Sequence, residues 1–144
     1  MTAPQLIPGP AVAAVVMLAD GRYLLQHRDD KPDIWYPGVW GLWGGTIDDG
    51  EDVETALRRE LAEEIGWTPQ TFEYFTKFDF DFAFAGYPSF PRYYYEAVYP
   101  RASLEGLVLG EGQAMQAFTE EEALSLPLVP YDAFALLMHS RFKA

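Results

Sequence analysis

The chain has 144 residues, 49% of them hydrophobic and 22% charged, which is the composition of a soluble globular protein. Its formal charge of −12 argues against binding duplex DNA or long RNA, because the surplus of Lys and Arg that a polyanion requires is missing. It contains no Cys, which excludes a disulfide framework and a thiol nucleophile.

The length predicts a single domain over residues 1–144, built around one core. Residues 1–10 contain three prolines and a glycine and are expected to form an extended lead-in. The apolar run over 11–19 is far shorter than the roughly 20 residues that span a bilayer, and no basic residue precedes it as in a signal peptide. We therefore expect a buried strand here and, by default, a cytoplasmic protein without membrane contact.

Two strands are predicted at Ala11–Leu18 and Tyr23–His27, joined by a turn at Asp20-Gly21. The polar segment Asp29–Tyr36 reads as a loop because prolines lie within and just after it. A second apolar segment, Trp40–Gly45, ends in paired glycines.

The clearest helix is predicted over Asp52–Ile65. Leu57, Leu61 and Ile65 recur every four residues and form a stripe that faces the core. Acidic residues at the start suit the helix dipole, and Gly66 is a natural stop.

The second half alternates further strands with short helices. Phe75–Phe84 alternates phenylalanines with charged residues, and Arg92–Tyr99 and Ala114–Phe118 are two more predicted strands. Thr119 is expected to cap a turn over Glu120–Ala123. A final helix over Tyr131–Arg141 is predicted to turn three apolar side chains inward, namely Phe134, Leu137 and Met138. This order indicates a layered α/β domain.

The helix predicted over Asp52–Ile65 places three carboxylates, Glu60, Glu63 and Glu64, along one edge. Like charges three and four residues apart repel, so the cluster suggests a compensating cation. Oxygen ligands of this kind favour Mg²⁺, or Mn²⁺ as a second choice.

The same region resembles the signature of the Nudix hydrolase family, which fixes a glycine, a glutamate, an Arg-Glu pair, a Glu-Glu pair and a final glycine at set spacings. All seven positions match, and they are Gly45, Glu51, Arg59, Glu60, Glu63, Glu64 and Gly66. Trp67 departs only in being aromatic where the family has an aliphatic residue. The resemblance implies an α/β/α sandwich with a mixed β-sheet.

The resemblance also implies roles for single residues. Glu60 and Glu64 would be the principal metal ligands, with Glu63 a third and the backbone carbonyl of Gly45 completing the set. Glu51 and Arg59 would pair so that the loop before the helix is clamped onto it.

Three residues outside the carboxylate cluster are further candidates. Arg28 and Gly44 are assigned to substrate binding, and Glu111 to the metal and to catalysis, with the glycines Gly110 and Gly112 giving its loop backbone freedom. A free surface Arg and a plain turn Glu are the competing interpretations. The general base is left open, with Glu60 first, Glu111 second and Glu63 also a candidate.

The function that follows is metal-dependent hydrolysis of a phosphoanhydride in a nucleoside diphosphate linked to another moiety, such as a nucleotide sugar or an ADP-ribose-like compound. Trp43 stands where members that sanitise oxidised nucleoside triphosphates often carry Pro, so that activity is the second hypothesis. A non-catalytic nucleotide-sensing domain is the third, although no carboxylate of the signature is lost. The expected partner is a small nucleotide rather than a long nucleic acid, and homodimerisation is left open.

Overall fold

A computed structural model describes residues 6–143 of the protein. Over that range seven strands form one sheet: β1 (Ala11–Met17), β2 (Tyr23–His27), β3 (Trp40–Gly41), β4 (Trp43–Thr46), β5 (Glu73–Phe80), β6 (Phe90–Val98) and β7 (Ala114–Phe118). Three α-helices accompany it: α1 (Val53–Ile65), α2 (Glu120–Leu124) and α3 (Pro130–Phe142).

The sheet is mixed, as expected from the family resemblance. Its strands run in the order β3-β2-β1-β6-β5, and β4 and β7 pair with β1 and β2. Strand β1 lies parallel to β6 but antiparallel to β2 and β4. None of the helices in residues 6–143 is long and apolar enough to cross a membrane.

Strand β1 is buried on both faces, and this divides the core into two layers. Val12, Ala14 and Val16 pack with the α1 stripe Leu57, Leu61 and Ile65. Ala13 and Val15 pack on the other face with Ala123 of α2 and with Ala135 and Leu136 of α3. The result is the predicted α/β/α sandwich, with α1 on one face and α2 and α3 on the other.

The ends of α1 follow the local sequence. The Asp52 side chain accepts a hydrogen bond from the Thr55 amide at 2.8 Å and caps the first turn. Gly66 ends the helix in the left-handed region at φ 67°, where its amide bonds to the Ala62 carbonyl. The Thr119 cap on α2 is also confirmed, as a capping box with Glu122.

One sequence prediction is wrong in detail. The strand predicted over Phe75–Phe84 ends at Phe80, because Asp81 accepts a hydrogen bond from the Ala83 amide and starts a 3₁₀ turn at Ala83–Ala85. In the lead-in, residues 6–10 have no regular secondary structure, and residues 1–5 lie outside the described range.

The inward face of α3 mixes apolar and polar side chains, and the prediction that Phe134 and Leu137 turn inward is wrong. Phe134 and Leu137 are exposed, whereas Asp132 and His139 are almost fully buried. His139 is accommodated because its Nδ1 lies 2.9 Å from the Tyr23 hydroxyl and its Nε2 lies 2.5 Å from a Glu96 oxygen. His139 is therefore a structural residue whose two ring nitrogens both have partners.

Candidate active site

The loop between β4 and α1 is held against the helix by one arginine. Arg59 donates from Nε and Nη2 to the two carboxylate oxygens of Glu51, at 2.8 and 2.9 Å. Its Nη2 also donates to the Thr46 carbonyl at 3.0 Å. The Glu51 pKa falls to about 2, chiefly because Arg59 hydrogen-bonds its ionised form.

The paired glycines of β4 allow two close approaches that a side chain would block. Gly44 has φ +146°, and a Cβ there would lie 2.0 Å from the Val12 carbonyl oxygen. A Cβ on Gly45 would lie 2.6 Å from Oε1 of Glu60. The backbone of β4 therefore packs directly against β1 and against the carboxylate of Glu60.

The three carboxylates of α1 differ in burial. Glu64 is 2% exposed and accepts hydrogen bonds from the Gly44 amide at 2.8 Å and from Gln26 Nε2 at 3.2 Å. The Glu60 side chain is mostly buried, whereas that of Glu63 is 59% exposed. Glu64 and Glu60 are thus held by the surrounding protein, whereas Glu63 lies on the surface.

Burial disfavours the ionised forms of the two inner carboxylates. The Glu64 pKa is raised well above its ordinary value, first by desolvation and then by the neighbouring carboxyl of Glu111. Desolvation also raises the Glu60 pKa, although Arg59 opposes it. A cation at this point would relieve both effects.

The segment that carries Glu111 is anchored on both sides. The Gly110 amide bonds to the Glu64 carbonyl at 2.7 Å, and the Gln113 amide bonds to the His27 carbonyl at 2.7 Å. A Cβ on Gly110 would lie 2.0 Å from the Glu63 carbonyl oxygen, and one on Gly112 would lie 2.8 Å from Gln26 Cγ. These glycines therefore serve close packing, which corrects the expectation that they free the loop to move.

A divalent cation fits the chemistry of these donors. Among residues 6–143 no three acidic or histidine side chains already converge on one point. Two of the carboxylates instead form ion pairs with Arg59, whose Nη1 lies 3.0 Å from Glu60 and 3.6 Å from Glu63. Glu60 and Glu64 nevertheless form a desolvated, mutually repelling pair of hard oxygen donors, with the exposed Glu111 beside Glu64 and the Gly45 backbone against Glu60.

Arg28 orders the loop that follows β2. Its Nε and Nη2 donate to the Trp35 carbonyl at 3.1 and 2.6 Å, and Nε also reaches the Tyr36 carbonyl at 3.2 Å. Within residues 6–143 it forms no ion pair with a carboxylate, so its positive charge is not neutralised by a direct partner. The substrate-binding roles of Arg28 and Gly44 remain predictions.

A cleft of about 740 Å³ connects these parts. Its lining includes Glu60, Glu111 and Arg28 together with Gly44 and Gly45. Aromatic side chains line it as well: Trp35, Tyr36, Phe80, Phe82, Phe90 and Tyr131. Carboxylates near a large aromatic surface suit a ligand that has both an anionic and a planar part.

Sequence reasoning missed a buried polar network in the same cleft. Asp132 accepts hydrogen bonds from the Tyr94 hydroxyl at 2.9 Å, from Arg92 Nη2 at 3.2 Å and from the Leu42 amide at 3.1 Å. The available signal was the spacing of Asp132 and His139, two turns apart on α3, which marks a polar stripe on the buried face.

Comparison with known proteins places these features in a family. A protein-family model, NUDIX domain, matches residues 7–142. A 47-residue segment is 49% identical to nucleoside triphosphatase NudI of an Escherichia coli O139:H28 strain and covers 33% of each chain. The chain therefore matches only about a third of the length of this curated relative.

Solved structures agree with the fold over nearly the whole chain. The MutT protein of Methanosarcina mazei Go1 has a TM-score of 0.75 at 19% identity, covering 94% of this chain and 96% of that one. The MutT NUDIX hydrolase of Burkholderia pseudomallei has a TM-score of 0.72 at 28% identity, covering 91% and 97%. The likeness to the first, at this identity, concerns the fold alone.

Proposed function

The chain belongs to the Nudix hydrolase family, and we propose from this that it hydrolyses a pyrophosphate bond in a nucleoside diphosphate derivative with the help of a divalent cation. The observation that carries the proposal is the position of Glu64. Its buried carboxylate is fixed by the Gly44 amide and lies beside Glu111, close to Glu60 in the wall of the cleft. A cation-binding role accounts for burying these like charges together.

The residues that would hold the cation are Glu60, Glu64 and the Gly45 carbonyl, with Glu63 and Glu111 as further oxygen donors. Mg²⁺ is the expected ion and Mn²⁺ a substitute, since both prefer oxygen ligands. When bound, such an ion polarises phosphoryl oxygens and lowers the pKa of a bound water.

The protein itself positions the substrate and accepts the proton. Arg59 and Glu51 fix the loop that follows β4, the strand of Gly45, and the unneutralised Arg28 guanidinium supplies positive charge in the cleft. A carboxylate oxygen of Glu60 is the first candidate to accept the proton of the attacking water, because this carboxylate lines the cleft beside Gly45. Glu111 is the second candidate, and Glu63 the third.

Two substrate classes are candidates, and they differ in the group that is attached to the nucleoside diphosphate. Trp43, in place of the Pro common in mutator-type members, supports a nucleotide sugar or an ADP-ribose-like compound. The likeness to nucleoside triphosphatase NudI over 47 residues favours a nucleoside triphosphate, including an oxidised one. The 740 Å³ cleft with its aromatic lining is compatible with a nucleoside in both cases.

A panel of nucleotides incubated with Mg²⁺ tests the proposal. Release of nucleoside monophosphate and pyrophosphate from a triphosphate would identify one class, and release of monophosphate and a sugar phosphate the other. Glu60→Gln is the matched control and should remove the activity. No hydrolysis of any panel member by the folded protein would contradict the proposal.

We also propose that residues 1–144 act as one domain in the cytoplasm, on small nucleotides rather than on nucleic acid. The charge of −12 supports the preference for a small ligand. Homodimerisation stays open, and sedimentation of the purified protein would decide it.

A further inference from the structure

Arg92 is the cationic member of the buried network in the cleft. Strand β6 places it on the same face as Tyr94, which packs in the layer beneath α3. Its Nε donates to the Tyr94 hydroxyl at 3.0 Å and its Nη2 to Asp132 at 3.2 Å, while the guanidinium carbon lies 4.9 Å from the centre of the Tyr131 ring. Three neighbours therefore fix the plane of the guanidinium.

One nitrogen of this guanidinium is left over. Nη1 has no hydrogen-bond partner in residues 6–143, and no side-chain N or O atom of that range is both buried and unpartnered. The Arg92 side chain is 16% exposed and lines the cleft, so Nη1 is the guanidinium nitrogen left for a ligand there. A rigid donor that faces a binding cleft is a recognition group.

The chemistry of this donor excludes several ligands. Asp132 neutralises the charge of Arg92, so the site does not favour a second phosphate as the unpaired Arg28 does. The Asp132 carboxylate already accepts hydrogen bonds from Tyr94, Arg92 and Leu42, and its side chain is only 3% exposed, so little of it is accessible to an amino group of a ligand. The site presents a neutral hydrogen-bond donor and requires an acceptor.

The aromatic surroundings indicate that the acceptor belongs to a planar group. Tyr131 stacks on Arg92 and contacts both Tyr36 and Phe80, with ring centres 5.7 and 5.4 Å apart. All of these residues line the cleft. A nucleobase can stack on such a surface through its π-face, which a saturated sugar ring does not have.

We propose that Arg92 is the specificity-determining residue for the base, and that the cleft selects nucleotides whose base carries a keto oxygen over those with an amino group at the same position. Guanine O6 accepts a hydrogen bond from an arginine nitrogen, whereas adenine presents an amino donor at the same position. Uracil and cytosine differ in the same way at position 4. This inference rests on the proposed function, because it assumes that the ligand of the cleft is a nucleotide.

The test measures binding rather than hydrolysis. Nucleoside monophosphates have no pyrophosphate bond, so their affinities for the intact protein with Mg²⁺ can be measured by titration calorimetry without turnover. GMP should bind about tenfold more tightly than AMP, and UMP more tightly than CMP, which is the discrimination that one good arginine contact to a base supplies. Equal affinities within each pair, or no binding, would overturn the proposal.

Variants then assign the preference to Arg92. Arg92→Gln should lower GMP affinity about tenfold and bring the GMP-to-AMP ratio close to one, and Arg92→Lys, which keeps the charge beside Asp132, should reduce the ratio as well. Arg101→Gln is the matched control, because Arg101 is exposed and pairs only with Glu105 on the surface. A full preference retained in a folded Arg92→Gln protein would overturn the assignment. If neither Arg92 variant folds, the GMP-to-AMP and UMP-to-CMP affinity ratios of the wild-type protein decide whether the cleft selects keto bases.

The outcomes separate this inference from the proposed function. Hydrolysis of nucleotides without any preference between keto and amino bases would contradict the inferred base selection but not the proposed hydrolytic activity. A clear base preference without hydrolysis of any nucleotide would instead contradict the proposed function.

Discussion

Arg59 and Glu51 form a two-point ion pair across eight residues of sequence, with Nε bonded to Oε2 at 2.8 Å and Nη2 to Oε1 at 2.9 Å. Glu51 also accepts a hydrogen bond from the Asp48 amide at 3.0 Å, and Arg59 holds the Thr46 carbonyl. The pair thus ties both ends of the loop between β4 and α1 to the helix. Because this loop follows Gly45 directly, the pair positions the site without touching a substrate.

The first prediction concerns this pair. Arg59→Ala should lower activity by releasing the loop, and Glu51→Gln should do the same by removing the partner. A double-mutant cycle measured on kcat/KM should give a combined loss clearly smaller than the sum of the single losses. Simple additivity would show that the two residues act independently.

The contribution of the same pair to the free energy of unfolding should decrease as the pH is lowered. The Glu51 pKa is lowered from 4.5 to about 2, so the stabilisation is complete above pH 4.5 and is lost as the pH falls toward 2. The difference in unfolding free energy between wild type and Glu51→Gln should therefore shrink over that interval, as measured by denaturant titration. A constant difference from pH 7 to pH 2.5 would contradict the assigned contact.

The second prediction is that hydrolysis requires a divalent cation. The desolvated carboxylates Glu60 and Glu64 have like charges, and no cationic side chain of the described chain pairs with Glu64. Activity should disappear on titration with EDTA and return with Mg²⁺ in excess of the chelator. Turnover that survives complete chelation would exclude the metal assignment.

The third prediction separates the two inner carboxylates. Glu60→Gln and Glu64→Gln should each lower kcat by at least about a hundredfold, since loss of metal-borne charge stabilisation costs several kcal/mol of barrier. Glu54→Gln, on the exposed first turn of α1, is the control and should leave kcat unchanged. Rates within a few-fold of wild type at saturating Mg²⁺ would contradict the roles.

Their effects on stability should differ. The Glu64 carboxylate accepts from two donors, the Gly44 amide and Gln26 Nε2, so the NH₂ of a Gln would face a donor on one side. Such a mismatch costs about 1–3 kcal/mol, offset in part by removal of a buried charge. Thermal unfolding should therefore show a change for Glu64→Gln that is absent for Glu60→Gln.

Much of this architecture could be predicted from the sequence because it follows local rules. The stripe of Leu57, Leu61 and Ile65 defines α1, and Asp52 and Gly66 mark its ends. The resemblance to the family signature supplied the pairing of Glu51 with Arg59. These features depend on spacing within a short stretch of chain.

The parts that could not be predicted depend on contacts between distant residues. Asp132 is buried because Arg92, Tyr94 and Leu42 satisfy it across 38 to 90 residues of sequence. That network turns α3 so that Phe134 faces solvent, against the apolar pattern of the helix. The close packing of Gly110 on Glu63 likewise has no local signal.

The fourth prediction compares the paired glycines. Gly44→Ala should be severely destabilising, about 4 kcal/mol or more, because its Cβ would collide with the backbone of β1 at a positive φ. Gly45→Ala should fold, since its Cβ meets only the end of the Glu60 side chain, which can move. The folded variant should need more Mg²⁺ for half-maximal activity. An unchanged Mg²⁺ requirement would show that Gly45 has no role in binding the cation.

The fifth prediction concerns Glu111, which comes from a different part of the chain than the other carboxylates. Its carbonyl accepts from Gln26 Nε2 at 3.1 Å, the flanking glycines pack on α1 and β2, and its carboxyl contributes to the raised Glu64 pKa. It therefore needs no large loop movement to act beside Glu64. Glu111→Gln should lower kcat much more than it raises KM, and by less than Glu60→Gln does.

Steady-state kinetics on the substrate found in the nucleotide panel checks this, with Glu105→Gln as the control, because Glu105 is an exposed glutamate outside the cleft. A pH profile of kcat adds a readout that a purely structural role would not change, because removal of the general base abolishes its acidic limb. Unchanged kcat and an unchanged profile in Glu111→Gln would reduce Glu111 to a turn residue and leave Glu60 or Glu63 as the base.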